Sequence, residues 1–300
     1  MLLTAKQLTY FCFVIKTEIM RTEKVWFVTG ASKGLGLTLV KKLLANHYRV
    51  AATSRSLASL HKEIGIASES FLPLEMDLTN NDDVKTAVAQ CIQHFRRIDV
   101  VVNNAGFGLI GTLEELTDAE VKENFDVNVF GCLNVIRNVA PYLRKQQSGY
   151  IFNIASVGGF AGNYPGFGIY CATKFAVAGF TEGLAEEMKD FGVHVSVVYP
   201  GYFRTEFLSL GSVKTAAQPI ADYQAARASE QAHVKEINGN QPNAPERAAE
   251  IFMEVSEMEQ PPVHLFLGKD AYAIARGKIQ IIEDAMAALE PLATSTEIAD

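Results

Sequence analysis

Short runs of β-branched and other apolar residues alternate along most of this chain with stretches of helical periodicity. The predicted strands are Val25–Thr29, Val50–Thr53, Phe71–Met76, Val100–Asn103, Tyr150–Ile154, Val193–Tyr199 and Val263–Leu267. The predicted helices are Leu35–Asn46, Leu57–Ile64, Asn81–Phe95, Asp118–Lys145, Ile169–Asp190 and Pro245–Glu257. Continuous apolar strands are typical of a parallel sheet that helices cover on both faces. The alternation therefore predicts an α/β, doubly wound fold with a seven-stranded, mostly parallel sheet.

The length of 300 residues suits a single large domain of this kind. We predict one domain over residues 20–290, followed by a flexible tail over 291–300. Residues 1–19 are predicted to be a dispensable extension, because the apolar stretch Leu8–Ile15 has no small-residue cleavage site after it. Residues 202–240 show no strand pattern and follow the sixth predicted strand. We interpret them as an insertion at the edge of the sheet where such folds bind ligands.

Charge and cysteine usage exclude several classes of function. The chain has 27 Lys and Arg against 34 Asp and Glu, a net charge of −7, and no basic tract. This balance argues against nucleic acid and anionic membranes as partners, because both require clustered cations. The cysteines Cys12, Cys91, Cys132 and Cys171 and the six histidines show no metal-ligand spacing. We expect a cytoplasmic protein with reduced thiols, no metal and no membrane-spanning helix.

A glycine-rich turn follows the first predicted strand and opens the first predicted helix. Its sequence is TGASKGLG, with Gly30, Ser32, Lys33, Gly34, Leu35 and Gly36 as candidate contacts of a dinucleotide. Glycines let the backbone approach a pyrophosphate, and the helix N-terminus offers free N–H groups and a positive dipole end. The position of this turn, between the first strand and the first helix, predicts a nucleotide-binding Rossmann fold. The alternative is an ordinary glycine-rich turn between strand and helix.

The end of the second strand bears on the choice of nucleotide. An NAD site usually has an acidic residue about 20 residues beyond the glycines, but no acid occurs between Ala31 and Lys62. The strand instead ends in Ser54 and Arg55, and Lys33 lies inside the glycine turn. A serine and two cations favour a 2′-phosphate, so we predict NADP(H) as the cofactor. The alternative is that both cations are solvated surface groups.

Tyr170 and Lys174 are four residues apart at the start of a predicted helix and so share one face. An adjacent ammonium favours the phenolate and would bring the tyrosine pKa closer to neutral, as general acid–base catalysis requires. The pair proves little in isolation. Ser156 at the end of the fifth strand and Asn128 in the preceding helix add weight to it, although Asn128 is also readable as a structural residue that kinks its helix.

These motifs together resemble the short-chain dehydrogenase/reductase family. The resemblance runs from Lys24 to Leu208, and more weakly to Leu267, and rests on TGASKGLG, MDLT, NNAG, FDVNVFG, SVGG, YCATK and YPGYFRT in the family's order. It implies that Tyr170 donates a proton to a substrate carbonyl and that Lys174 lowers the tyrosine pKa and holds the nicotinamide ribose. By the same resemblance, Ser156 would bind the substrate oxygen and Asn128 would anchor a water.

The resemblance also implies further cofactor contacts at the ends of the later strands. Asp77 would contact the adenine, and Thr205 the nicotinamide carboxamide. The full set of implied contacts beyond the glycine turn is Ser54, Arg55, Asp77, Leu78, Asn104, Ala105, Gly106, Tyr170, Lys174, Pro200, Gly201 and Thr205.

The sequence thus predicts an NADP(H)-dependent oxidoreductase that interconverts an alcohol and a ketone or aldehyde. The alternatives are a non-catalytic NADP(H) sensor that binds a partner, and a dehydratase or epimerase on the same scaffold. An apolar substrate is expected from the aromatic and apolar residues near the motifs, namely Phe160, Tyr164, Phe167, Phe203, Phe207 and Leu208. The family resemblance implies a homodimer or homotetramer built on the helices predicted at Asp118–Lys145 and Ile169–Asp190.

Overall fold

A seven-stranded sheet forms the centre of the computed structural model, which describes residues 24–209, 211–296 and 298. Its strands lie in the order β3-β2-β1-β4-β6-β7-β9, and each neighbouring pair is parallel. They are β1 (Val25–Val28), β2 (Arg49–Ser54), β3 (Phe71–Glu75), β4 (Val100–Asn103), β6 (Gly149–Ile154), β7 (Val193–Pro200) and β9 (His264–Leu267). The predicted doubly wound Rossmann fold is therefore confirmed. The predictions for residues 1–19 lie outside the described residues.

Helices cover both faces of this sheet. They are α1 (Gly34–Ala45), α2 (Leu57–Glu63), α3 (Asn81–Phe95), α4 (Asp118–Phe125), α5 (Gly131–Gln146), α6 (Gly168–Met188), α7 (Gln224–Gln231), α8 (Pro245–Val255) and α9 (Lys269–Ala293). Successive residues of a strand point to opposite faces, so Trp26 packs among residues of α1 and α8. Its neighbour Phe27 packs among residues of α3 and α5. Both side chains are fully buried, which explains why these strands have no polar face.

The helix predicted at Asp118–Lys145 is not one regular helix. Thr117 and Glu120 form a capping box at the start of α4, and a π-helical turn at Asp126–Phe130 then joins α4 to α5. Such turns insert one residue into the helical ladder and often occur at functional sites. The π-helical turn of this chain contains Asn128, in agreement with the alternative interpretation of Asn128 as a structural residue that kinks its helix.

Two features differ from the sequence prediction. A small parallel sheet pairs β5 (Gly108–Ile110) with β8 (Val213–Thr215), and β8 lies in the insertion for which no strand pattern was recognised. Each of these strands has only three residues, too few for a visible alternation. The helix α9 was not predicted, and it continues to Ala293, past the domain end placed at residue 290. Pro291 stands in its last turn, near the end of the hydrogen-bond ladder.

The described cysteines are buried and unpaired. Burial raises the pKa of the Cys91 and Cys132 thiols to about 12 and that of Cys171 to about 11, which makes them poor nucleophiles. Cys12 lies outside the described residues. Within the described part of the chain, no group of His, Cys, Asp and Glu is arranged to hold a metal ion. In that same part, no helix has both the length and the apolar character needed to cross a membrane.

Candidate active site

A cavity of about 650 Å³ opens along the carboxyl edge of the sheet. Parallel strands all end at this edge, so the motifs that follow β1, β2, β3, β4, β6 and β7 meet there. The predicted site residues that line the cavity are Gly30, Ser32, Lys33, Gly34, Leu35, Ser54, Arg55, Asp77, Leu78, Asn104, Ala105, Gly106, Ser156, Tyr170, Lys174, Pro200, Gly201 and Thr205. Gly36 and Asn128, which were also predicted, do not line it.

The glycine turn is shaped for close approach of backbone to a ligand. Gly30 has a φ of +64°, and a Cβ on it would lie 2.8 Å from the Ala105 Cα. The side chain of Lys33, the N-cap residue of α1, makes no capping hydrogen bond, and the first turn of the helix contains no acid. The helix therefore offers uncapped N–H groups and its positive dipole end toward the cavity, an arrangement that fits an anionic group such as a pyrophosphate.

Gly36 serves packing behind this turn and does not line the cavity, so its contact with the cofactor stays a prediction. A Cβ on Gly36 would lie 2.7 Å from the Gly30 carbonyl oxygen, so only glycine lets the helix come this close. Asn104 also holds the turn in place. Its Nδ2 donates to the carbonyl oxygens of Thr29 (2.9 Å) and Gly30 (3.1 Å).

The two cations predicted to flank a 2′-phosphate both line the cavity but are differently engaged. Arg55 lies exposed directly after β2, next to Ser54. The Lys33 ammonium instead donates to the carbonyl oxygen of Gly211 at 2.9 Å, across the mouth of the cavity. The Lys33 ammonium is thus engaged in this conformation, and its contact with a 2′-phosphate stays a prediction. Of the two, Arg55 is the cation that remains available to an anion in this conformation.

Ser156 and Tyr170 meet at the inner end of the cavity. Ser156 caps a short 3-10 turn after β6, where its Oγ accepts from the N–H of Gly158 at 3.1 Å. Tyr170 lies in the first turn of α6, where its side chain is buried. Burial raises the pKa of the Tyr170 phenol above its usual value, and a hydrogen bond with the Ser156 hydroxyl opposes this rise. The fold therefore brings the side chains of Ser156 and Tyr170, 14 residues apart in the sequence, close to each other.

Lys174 lies one turn further along α6 and is buried. Its Nζ donates to the carbonyl oxygen of Ile154 at 2.9 Å and lies 5.9 Å from the centroid of the Tyr170 ring. Burial lowers the pKa of Lys174 to about 8, because the ammonium loses its hydration. The net shift of the Tyr170 pKa is upward, with burial as its largest cause, and the lowering of that pKa by Lys174 stays a prediction.

Asn128 occupies a position behind the cavity, with every amide hydrogen engaged. Its Oδ1 accepts from the N–H of Phe107 at 3.0 Å, and its Nδ2 donates to the Phe107 carbonyl at 3.0 Å and to the Thr173 hydroxyl at 3.1 Å. Thr173 in turn donates to the Tyr170 carbonyl at 2.7 Å. The side chain thus fixes the loop after β4 against α6, and the anchoring of a water by Asn128 stays a prediction.

The insertion supplies the outer wall of the cavity with residues that the motifs did not reveal. His233 Nδ1 lies 2.7 Å from the Ser229 carbonyl, which can only accept, so Nδ1 carries the proton. Its Nε2 is therefore free to accept from the Tyr202 hydroxyl at 2.9 Å in the neutral imidazole. Gln241 also lines the cavity, and its buried Oε1 has no hydrogen-bond partner among the described residues.

Most of the predicted apolar wall is present. Tyr164, Phe167, Phe203, Phe207 and Leu208 line the cavity. Phe160 does not, because its ring packs edge-on against Tyr199 and Phe266 under α9. Phe160 is therefore a core residue of this group.

A buried ion pair fastens the insertion to the loop after β5. The Glu115 carboxylate, which is fully buried, accepts from Arg227 Nη2 at 2.8 Å and from the N–H groups of Ile220 (2.6 Å) and Thr112 (2.7 Å). Burial alone would raise the pKa of Glu115, but the N–H donors and the guanidinium together lower it. The carboxylate therefore remains charged at neutral pH and keeps α7 and the cavity wall in place.

The burial of Lys174 leads to a stability prediction. An unfolded lysine stays protonated up to a pKa near 10.4, whereas the folded protein must hold a buried ammonium below about pH 8. Between about pH 8 and about pH 10.4, the unfolded state thus binds more protons than the folded state. The free energy of unfolding therefore rises with pH across this range. Lys174→Met is expected to increase the free energy of unfolding at pH 7, by an amount on the order of a few kcal/mol. The difference from wild type should shrink toward pH 10.

Urea unfolding followed by circular dichroism at pH 7 and pH 10 measures this effect. Lys62→Met, which removes an exposed lysine on α2, is the matched control and should change little at either pH. Equal destabilisation by Lys174→Met at both pH values would contradict the assignment of a costly buried ammonium.

Comparisons with known proteins agree with this geometry. The sequence profile of the short chain dehydrogenase family matches residues 24–212. The oxidoreductase BOA17 of Botryotinia fuckeliana is 35% identical over 263 residues, which is 86% of this chain and 94% of that protein.

Solved structures show the same likeness. The fold is similar to a short-chain dehydrogenase from Streptomyces avermitilis, with a TM-score of 0.83 and 31% identity over 91% of this chain and 100% of the other. It is also similar to one from Burkholderia cenocepacia in complex with NADP, with a TM-score of 0.67 and 25% identity over 89% of this chain and 97% of the other. The same fold has been solved with NAD, so the fold does not decide between the two nucleotides. The cavity, its Ser156–Tyr170–Lys174 group and these matches together show that the chain belongs to the short-chain dehydrogenase family.

Proposed function

We propose that this protein is an NADP(H)-dependent oxidoreductase that reduces an apolar ketone or aldehyde to the alcohol, and catalyses the reverse oxidation. One observation carries the proposal. The Ser156 and Tyr170 side chains lie close together in the same cavity that the glycine turn and Arg55 line. A proton donor and a nucleotide-binding turn in one cavity are what carbonyl reduction requires.

The residues present fit a nicotinamide dinucleotide. The uncapped N-terminus of α1 would hold the pyrophosphate, and Arg55 would hold a 2′-phosphate. Asp77 and Leu78 would border the adenine, and Thr205 and the unpaired acceptor Gln241 Oε1 would face the nicotinamide end. When bound, the cofactor supplies the hydride that the carbonyl carbon receives.

The chain's own residues supply the proton and the orientation. Ser156 would donate to the carbonyl oxygen and hold it next to the Tyr170 hydroxyl, which would transfer its proton to that oxygen. The raised pKa keeps Tyr170 protonated at neutral pH, the form that reduction needs. Lys174, fixed by the Ile154 carbonyl, would place its ammonium beside the nicotinamide ribose and stabilise the phenolate that Tyr170 becomes after it gives up its proton.

The wall of the cavity favours an apolar substrate with a polar group away from the carbonyl. Tyr164, Phe167 and Phe207 line it, so most of the substrate surface would contact aromatic carbon. Tyr202 and His233 form the polar pair on the same wall. A hydroxyl or amide on the substrate would find its hydrogen-bond partners there.

A panel of carbonyl compounds mixed with the protein and NADPH tests the proposal through the loss of nicotinamide absorbance. We expect turnover with apolar aldehydes or ketones. Binding of NADPH without any absorbance loss across the panel would favour a cofactor sensor. Conversion of a hydroxy substrate without cofactor consumption would favour a dehydratase or epimerase. Either result would contradict the proposed reaction.

A further inference from the structure

The helix α9 extends away from the rest of the protein. Near its start, Ala271 and Ala275 are buried against the domain. From residue 279 to residue 296 every residue is exposed. At a rise of about 1.5 Å per residue, the exposed helical part up to Ala293 is roughly 22 Å long. An isolated helix of this length is marginal in water, so its helical state calls for a packing partner.

One side of this exposed helix is apolar at a regular spacing. Ile279, Ile282, Met286, Leu289 and Ala293 follow one another at intervals of three, four, three and four residues. This spacing is the seam of a two-helix coiled coil. The large members of the seam are 44% to 67% exposed. A second apolar row flanks it, formed by Ile281, Ala285, Ala288 and Leu292. An exposed face of this size on a helix marks an interaction surface.

The charges along α9 indicate what covers this face. Arg276 and Lys278 lie in the first half of the helix, whereas Glu283, Asp284 and Glu290 lie in the second half. Acids in the second half are unfavourable next to the negative end of the helix dipole. A second α9 running in the opposite direction would place Arg276 of each copy near Glu290 of the other, while Glu283 and Asp284 lie near the two-fold axis. By contrast, the acids would be repelled by an anionic membrane surface.

We propose that α9 pairs antiparallel with α9 of a second copy of this chain, through the seam defined by Ile279, Ile282, Met286, Leu289 and Ala293. A two-fold axis relates the two helices, so the same face serves both copies. On one flank of the seam, Arg276 of each copy lies near Glu290 of the other, as antiparallel packing requires. This contact lies apart from the cavity and from the helices α4, α5 and α6.

Sedimentation velocity of the full chain tests the seam. Met286→Asp is expected to reduce the assembly to half its wild-type mass at micromolar concentration, because it places two carboxylates in the seam. Ala287→Asp is the matched control, since it introduces the same group one residue further along, about 100° around the helix and outside both apolar rows, and it should leave the mass unchanged. The cavity is remote, so NADPH binding should be unaltered in both variants. An unchanged mass for Met286→Asp would overturn the proposal.

Charge reversal tests the antiparallel direction. Arg276→Glu and Glu290→Arg should each weaken the assembly about tenfold or more in Kd, because each places like charges opposite one another. The double variant should restore it. Failure of the double variant to recover would contradict the antiparallel pairing. Co-sedimentation of the wild type with phosphatidylcholine vesicles, lost in Met286→Asp without any change in mass, would assign the face to lipid and overturn the proposal.

Discussion

Replacing Tyr170 with phenylalanine is expected to lower kcat by about 10²- to 10⁴-fold, the usual contribution of a general acid. The expected effect on NADPH affinity is small, because the hydroxyl acts on the substrate oxygen and the ring itself is retained. The ring is buried beside Phe167 and Phe207, so the variant keeps its packing. The loss therefore reports chemistry and not folding.

Steady-state kinetics with the best carbonyl substrate, together with fluorescence titration of NADPH, measures both quantities. Tyr164→Phe is a suitable control because it removes a hydroxyl from another tyrosine of the same cavity. We expect Tyr164→Phe to change mainly KM and to leave kcat close to that of the wild type. Retention of more than about a tenth of kcat by Tyr170→Phe would remove this residue from the acid–base role.

Cofactor preference should reverse or disappear when Arg55 becomes aspartate. A 2′-phosphate that meets an exposed guanidinium gains charge-assisted hydrogen bonds of roughly 1.5–3 kcal/mol, partly reduced by solvent screening. Wild type is therefore expected to prefer NADPH over NADH by about tenfold to a thousandfold in kcat/KM. In Arg55→Asp, the carboxylate would repel the phosphate and accept from the ribose hydroxyl of NADH.

The ratio of kcat/KM for the two cofactors decides this prediction. Arg49→Asp makes the same change at the other end of β2, outside the cavity, and should leave the ratio unaltered. Lys33→Ala should have a smaller effect than Arg55→Asp, because the Lys33 ammonium is held by the Gly211 carbonyl. Equal use of NADH and NADPH by wild type would mean that Arg55 is only a surface charge.

The sequence predicted best those helices and strands whose ends are determined by residues close to them in the sequence. Strand Val100–Asn103 and helix Asn81–Phe95 have the predicted bounds, because a buried apolar run and the Asn80 N-cap define them within a few residues of sequence. The paired strands β5 and β8 escaped prediction, since three residues each leave no period to recognise. The helix α9 has no buried residues beyond Ala275. The spacing of apolar residues in the rest of this helix therefore does not reflect packing against the domain.

The site shows the same division between local and long-range information. Ser156, Tyr170 and Lys174 were predictable because fixed motifs carry them to one sheet edge. The engagement of Asn128 by Phe107 and Thr173, and the contact of Lys33 with Gly211, join residues far apart in sequence. His233, in the insertion, and Gln241, directly after it, reach the cavity only through the folded structure. For these residues, nothing in the sequence alone indicates the contacts that they make in the folded protein.

Isotope transfer tests the proposed reaction most directly. The protein is incubated with a reducible carbonyl compound and NADPH that carries deuterium at both positions of the nicotinamide C4, and the product is analysed by mass spectrometry. The account predicts an alcohol with one deuterium on the carbinol carbon, formed in equal amount to the NADP⁺ and lost in Tyr170→Phe. A product without deuterium, or tightly bound NADPH that yields no alcohol from any carbonyl compound, would contradict it.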